Sequence, residues 1–424
     1  MLAATAAAGT VPLSTCLTSG AGGSAGLFST PSANSVPTAI VTGPDGNLWF
    51  TEQRTNAIAR STPSGQITEF PVPAGVQPGD ITTGPDGNLW FTSFGTAAVG
   101  RITPAGAVTM FPVSSSTGGV QVSTRSITTG PDGNLWFTTS ENNVVRMTPA
   151  GAGTVFPLGL TGGVAGDIIS GPGALLWIAY TGVQGGLVTV TTTGASTIIP
   201  TPGFANAPTA LITGPDGNVW YTNGSYGFIT RVVVTPGSGT TFTRFPKAVA
   251  NSQANGWTTA RGKMWFVGNA GVVGSVTTAG VITEYPVPGW GRFYASLIGS
   301  PSPIAASASG ALWIAGPWCG AIGSTSSAPS NGVWTVSRPA SVTRGRTYTL
   351  RVRTSAAGTV RVALSSPGRR VTIASAQVGK GTTTMRVTIP RTLPAALVGS
   401  ATLAINAALR GLGPAGQASP IRVR

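Results

Sequence analysis

The chain has 424 residues and a formal net charge of +15, with 41% hydrophobic residues, only 8% charged residues and no histidine. The missing imidazole removes the side chain most often used for proton transfer and metal ligation near neutral pH. Gly (61) and Pro (33) are abundant, yet eleven Trp and many Val, Ile, Thr and Phe can form a core, which excludes a disordered chain and points to short strands joined by many turns.

The first stretch, Leu2 to Pro12, is apolar and small, with Ala-x-Ala options at Ala4-Thr5-Ala6 and Ala6-Ala7-Ala8. It reads as part of an export signal, although no Lys or Arg precedes Arg54, so the positive leader is missing. The alternative is a flexible apolar arm over residues 1–25. No run reaches the ~18 apolar residues needed to span a bilayer. Cys16 and Cys319 fit no zinc or redox motif.

A repeat follows. Gly-Pro-Asp-Gly-Asn-Leu-Trp-Phe at 43–50 returns at 84–91, at 130–137 and, with Val-Trp-Tyr, at 214–221. Weaker copies centre on Trp177, Trp265 and Trp313, so seven tryptophans recur at spacings of 41, 46, 41, 43, 45 and 48 residues. Each unit reads as a short apolar strand, a Pro-Asp-Gly turn, a strand with the Trp, a third strand, a Pro-x-Gly turn and a fourth strand. Pro presets φ, Asp bonds nearby backbone, and Gly takes the positive φ that ends the turn. Four strands in about 40–45 residues is one propeller blade, and no window shows the 3.6-residue period of a helical solenoid. The expected fold is all-β: a seven-bladed β-propeller over residues 26–325.

A ring must close or leave a sheet edge open. The seventh unit lacks a fourth strand, and residues 27–30 can supply it, because Phe28 precedes Trp49 much as Phe70 precedes Trp90. Cys16 and Cys319 each lie near that seam in sequence terms, so a disulfide across it is a weaker expectation. A linker is expected at 326–332. Residues 333–424 carry no repeat; alternating stretches such as Tyr-Thr-Leu-Arg-Val-Arg at 348–353 suggest a small immunoglobulin-like sandwich.

Charge divides the same way. The tail holds thirteen Arg and Lys380 with no Asp or Glu, for +14, whereas the first 332 residues hold eleven basic and ten acidic groups. An all-positive domain points to an anionic cell-wall or membrane surface, against the plainer reading of arginines that only solvate strand faces. The aromatic platforms of single-strand binders are absent, which disfavours nucleic acid. A secreted or wall-associated monomer is expected.

The repeat, with segments such as Val-Gly-Arg-Ile-Thr-Pro at 99–104 and Ile-Thr-Glu-Phe-Pro-Val-Pro at 67–73, resembles the virginiamycin B lyase (streptogramin lyase) family. The resemblance implies a seven-bladed, magnesium-dependent enzyme that opens a cyclic depsipeptide by elimination. In the family that the repeat resembles, a His base lies 11 residues before a blade's Trp and a Glu lies 3 after it. Here the first position holds Thr38, Gly79, Arg125, Gly166, Thr209, Ala254 and Ser302, and the second holds Glu52, Ser93, Thr139, Tyr180, Asn223, Gly268 and Gly316. Only Glu52 keeps the pattern, and no residue inherits the base.

One rim should gather Thr38, Glu52, Asp80, Arg125, Asp167 and Asn255 around the channel mouth, as a site for a cation or a polar small molecule. Glu52, Asp80 and Asp167 are the metal candidates. Asp45, Asp86, Asp132 and Asp216 belong to turns at the opposite rim and are structural. They occur only in blades that also carry Arg60, Arg101, Arg146 and Arg231, which suggests an Asp–Arg pair within each blade. Two functions compete: a non-catalytic binding propeller, and a metal-dependent lyase with a non-His base. A lactonase-like hydrolase is disfavoured by the count of seven blades. The first two separate on whether Glu52, Asp80 and Asp167 converge.

Overall fold

The computed structural model of the protein describes residues 25–114, 122–160, 163–182, 185–202, 208–223, 227–235, 239–247, 254–268, 272–286, 303–316, 320–325, 333–337, 341–354, 357–366, 369–409 and 414–424. The apolar N-terminal stretch, the linker, Ser302, Cys16 and Cys319 lie outside the described residues.

Seven four-stranded antiparallel units follow one another. In the first, Pro37–Thr42, Leu48–Glu52, Ala57–Ser61 and Ile67–Pro71 pair in that order from the channel outward. The next five span 78–112, 124–157, 163–200, 208–246 and 254–286. The seventh joins Ile304–Ala306, Leu312–Gly316 and Ala321–Thr325 to Ala25–Ser29, with Phe28 opposite Ile322, so the N-terminal strand closes the ring as the sequence requires.

The core is divided by seams. Each of seven apolar clusters holds the Trp of one blade and residues of the next: Trp49 packs with Ile81, Leu89 and Phe91, and Trp313 with Ile40, Leu48 and Phe50. All seven repeat tryptophans are at most 2% exposed. In six blades an aromatic of the outer strand stacks on the Trp, as in Phe28–Trp313 at 5.4 Å and Trp90–Phe111 at 5.0 Å. Such pairs contribute ~0.5–1.5 kcal/mol beyond area burial. The Gly of the Pro-x-Gly turn makes room for this ring from the neighbouring blade: a Cβ on Gly106 (φ +95°) would lie 2.3 Å from Phe70.

The turn aspartates bond differently from the expectation. Asp86 Oδ1 accepts the Trp90 indole N–H at 3.0 Å and its Oδ2 accepts the Asn88 amide at 2.8 Å; Asp45, Asp132 and Asp216 repeat this. Burial opposes the charge, but the Asn and Trp bonds hold Asp45, Asp86 and Asp132 below the usual carboxylate range. The arginines cross the seam instead. Arg60, Arg101, Arg146 and Arg231 donate to Pro104, Pro149, Thr192 and Thr278 carbonyls in the next blade at 2.9–3.2 Å. Among the described residues Arg101–Asp86, at 3.7 Å, is the one Asp–Arg ion pair. The expected pairing is therefore corrected. The two residues recur together because both attend the same tryptophan, Asp at its N–H and Arg near the Trp–Phe stack.

The C-terminal region forms two sheets about one apolar core. Val333–Ser337, Thr347–Thr354 and Gly381–Thr388 make one; Gly358–Ser366, Arg369–Val378, Gly399–Leu409 and Pro414–Val423 belong to the other. The last strand pairs with Ile282–Pro286, the outer strand of the sixth blade, placing Glu284 opposite Gly416. One sheet thus runs from propeller into sandwich. Among the described residues no helix is long and apolar enough to cross a membrane.

Candidate functional site at the channel

A cavity of about 380 Å³ runs along the inner strands of all seven blades. Its shape follows from a repeated irregularity. In six blades the inner strand shifts register near its start, for example between Pro78 and Ile81 and between Ala165 and Ile168. Such bulges re-aim side chains. The Thr of Trp-Phe-Thr supports them: Thr92 Oγ1 accepts the Asp80 N–H at 2.7 Å and donates to the Arg125 carbonyl of the next blade at 2.9 Å.

Two residues before the partner of each blade's Trp, at or beside the bulge, successive blades carry Ala39, Asp80, Ser126, Asp167, Ala210 and Gly256. The three polar residues meet. Ser126 Oγ lies 2.9 Å from Asp80 Oδ2 and 3.0 Å from Asp167 Oδ1. Asp80 also accepts backbone N–H groups from Ile81 at 2.8 Å and Ile127 at 3.0 Å, and Asp167 accepts that of Leu211 at 2.7 Å. Four blades are fastened by two carboxyls and one hydroxyl. Burial, and then the Asp167 charge, push Asp80 up to about 7, against the Ile127 bond; burial pushes Asp167 up to about 6. One hydroxyl proton cannot serve two carboxylates, so with both contacts made one carboxyl carries a proton and donates to Ser126.

Glu52 lies elsewhere. It ends the second strand of blade 1, is 0% exposed, and takes the Thr55 hydroxyl on Oε2 at 3.3 Å, while its buried Oε1 has no hydrogen-bond partner. Burial, and then the Glu69 carboxylate beside it, push Glu52 up to about 8. Glu69 itself accepts the N–H and hydroxyl of Ser32 at 2.8 and 2.6 Å, in the segment that follows the closing strand. Glu52 therefore does not join Asp80 and Asp167, and no group of three metal-binding side chains exists among the described residues. The expected convergence of three carboxylates is corrected: the two on inner-strand bulges meet, and the one on a second strand does not.

Thr38 is buried and shares its hydroxyl with Thr51 Oγ1 at 2.8 Å. Arg125 adjoins Ser126 in its bulge, with a buried Nε that has no hydrogen-bond partner. Asn255 pairs with Val267 beside the sixth bulge. Ser126 and Glu69 escape a search for the family's own motif positions, but aligning the seven units on their tryptophans places Ser126 in register with both aspartates.

The chain matches the Virginiamycin B lyase family over residues 19–122 and 118–360. It belongs to that family. The virginiamycin B lyase of Staphylococcus aureus is 25% identical, with a TM-score of 0.61 over 71% of this chain and 98% of that one. A catalytically inactive variant of that lyase with quinupristin gives 25% identity and a TM-score of 0.62 over the same shares. The extracellular domain of a hybrid two-component system from B. thetaiotaomicron is 12% identical, with a TM-score of 0.57 over 95% of this chain and 58% of that one, and shares the fold alone. A search of curated proteins returns no match.

Proposed function

We propose that this member of the virginiamycin B lyase family is an exported binding propeller without elimination chemistry, held at an anionic wall or membrane surface by its basic C-terminal domain. The observation that carries the loss of chemistry is the state of the channel carboxyls. Asp80 and Asp167 are engaged by Ser126 and by backbone N–H groups of neighbouring blades, which suits fastening better than proton abstraction. No histidine stands anywhere to replace them. The ligand is a polar small molecule taken at the channel mouth.

A resident Mg²⁺, which the family implies, does not fit these residues. Asp80 and Asp167 already hold donors on their oxygens, and Glu52 stands apart beside Glu69. No step is assigned to a metal.

The second reading is a lyase using Glu52 as base, favoured by its carboxyl being raised to about 8, near the range useful for general-base catalysis. Its complete burial opposes contact with substrate. The experiment is incubation with a streptogramin B depsipeptide and Mg²⁺, following ring opening by mass spectrometry. No turnover above buffer is expected. Turnover that Glu52→Ala abolishes would establish the second reading instead.

A further inference from the structure

The sandwich carries a charge pattern that its fold arranges on one side. Along Thr347–Thr354 and Gly381–Thr388, inward Leu350, Val352, Met385 and Val387 are buried, and the alternate residues face solvent. The exposed set is Thr347, Thr349, Arg351 and Arg353 on one strand and Thr382, Thr384, Arg386 and Thr388 on its neighbour. Register sets Arg351 against Thr384 and Thr349 against Arg386, so Arg351 and Arg386 are diagonal neighbours. Such neighbours lie ~7–8 Å apart, and Arg351 and Arg353, two residues along a strand, are separated by about 7 Å.

Arg346, in the preceding turn, is exposed but lies against Ile389 on the other side of the sheet, with half-buried Tyr348, so the outward row consists of Arg351, Arg353 and Arg386. Residues 333–424 contain no Asp or Glu.

We propose that this face, on Thr347–Thr354 and Gly381–Thr388, binds a linear phosphate-bearing polyanion laid along the strands. Guanidinium groups grip phosphate oxygens bidentately, and the interleaved threonine hydroxyls donate to the same oxygens. A polymer fits better than a bilayer. The exposed positions on these two strands offer only Thr and Arg, and the guanidinium groups repeat along the strand as phosphates repeat along a polymer. The inference rests on the reading of the C-terminal domain as an anion-surface module and is independent of what the channel mouth takes.

The test uses the full chain and long-chain inorganic polyphosphate, with phosphatidylglycerol vesicles as the second arm. Polyphosphate is expected to bind at ~100 mM salt with affinity that falls as salt rises, because bound cations are released. The R351Q/R353Q/R386Q variant should bind at least ~10-fold more weakly and lose about two to three from the log–log salt slope. R361Q/R369Q, on the other sheet, should bind as the parent does. R351K/R353K/R386K, which keeps charge but loses the planar fork, should fall between them, and its unchanged melting temperature guards against misfolding. Equal binding by parent and triple Gln variant, or no polyphosphate binding at ~50 mM salt, would overturn the proposal. Vesicle binding without polyphosphate binding would overturn it while leaving the anionic-surface reading intact. Binding to neither would remove both.

Discussion

The propeller and the sandwich use charge in opposite ways. In the ring, the turn aspartates hold tryptophan N–H groups, the channel aspartates tie blades together, and four arginines reach across seams to carbonyls. In the sandwich no acid exists, and most of the described arginines are exposed. The two regions also divide their cores differently: seven seam clusters in the ring, one cluster in the sandwich. A repeat that must close on itself puts its polar side chains to work as fasteners between units. A sandwich with a single core leaves its outer face for other purposes. The acid nearest the junction comes from the ring. Glu284 is buried on the outer strand of blade 6, where its charge bears on Lys247 of blade 5 and on Arg370 of the sandwich. Burial drives Lys247 down to about 8, and Glu284 partly opposes that shift.

The largest expected effect tests whether seams carry the ring. Trp136 is 0% exposed and joins Ile168, Leu176 and Ile178 of the next blade. Trp136→Ala should cost ~3–5 kcal/mol by urea unfolding, the range for truncating a buried aromatic. A cost below ~1 kcal/mol would mean that the seams relax freely and that the strands alone hold the ring.

The next effect separates the two regions by pH. Asp80 and Asp167 have folded-state values near 7 and 6, above the 3.8 of an unperturbed Asp. Protons are therefore bound more tightly in the folded ring, and their stabilisation is full below about pH 4 and is lost as pH rises through 6 to 7. Each shifted carboxyl changes the folded-to-unfolded ratio by up to about tenfold per pH unit inside that window. Asp80→Asn should make the profile shallower between pH 4 and 7, because an amide donates to Ser126 without titrating, while Asp167 and Glu52 keep the slope that remains. The sandwich has no acidic side chain and no histidine, so its side chains have nothing to titrate there. Melting curves of parent and variant across pH 4–8 check this, and parallel profiles would remove the proton from the Asp80–Ser126–Asp167 contact.

The ring was legible in the sequence because its determinants are local and repeated. The tryptophan spacing, the Pro-Asp-Gly turn and the unpaired seventh unit fix the blades and the closing strand. The site was half legible. Asp80 and Asp167 stand out as carboxylates near strand starts, but their meeting depends on the bulges, which rotate one residue per inner strand toward the channel. Glu52 keeps the family's Glu offset from Trp49, which points to the same rim, yet it sits on a second strand beside Glu69. The arginine contacts were misread because their acceptors are carbonyls of the neighbouring blade, and a carbonyl leaves no mark in a sequence.

The smallest effect concerns those arginines. Arg101 lies near the Trp90 and Phe111 rings at 5.7 and 5.3 Å, donates to the Pro149 carbonyl at 3.2 Å, and stands 3.7 Å from Asp86. The ion pair is partly exposed, so its share should be below ~1 kcal/mol. The ring contacts contribute a further ~0.5–1 kcal/mol at such a site. Arg101→Ala should therefore cost ~1–2 kcal/mol, and Arg361→Ala, at an exposed position on a sandwich strand, should stay within about 0.5 kcal/mol of the parent. A double-mutant cycle of Arg101→Ala with Asp86→Asn sharpens the assignment. If the arginine serves the seam, the two changes should add to within ~0.5 kcal/mol, since most of the Arg101 energy lies with the rings and the next blade. Coupling above ~1 kcal/mol would restore the Asp–Arg pair as the unit, and would mean that ring and sandwich differ less in their use of arginine than the seam contacts imply.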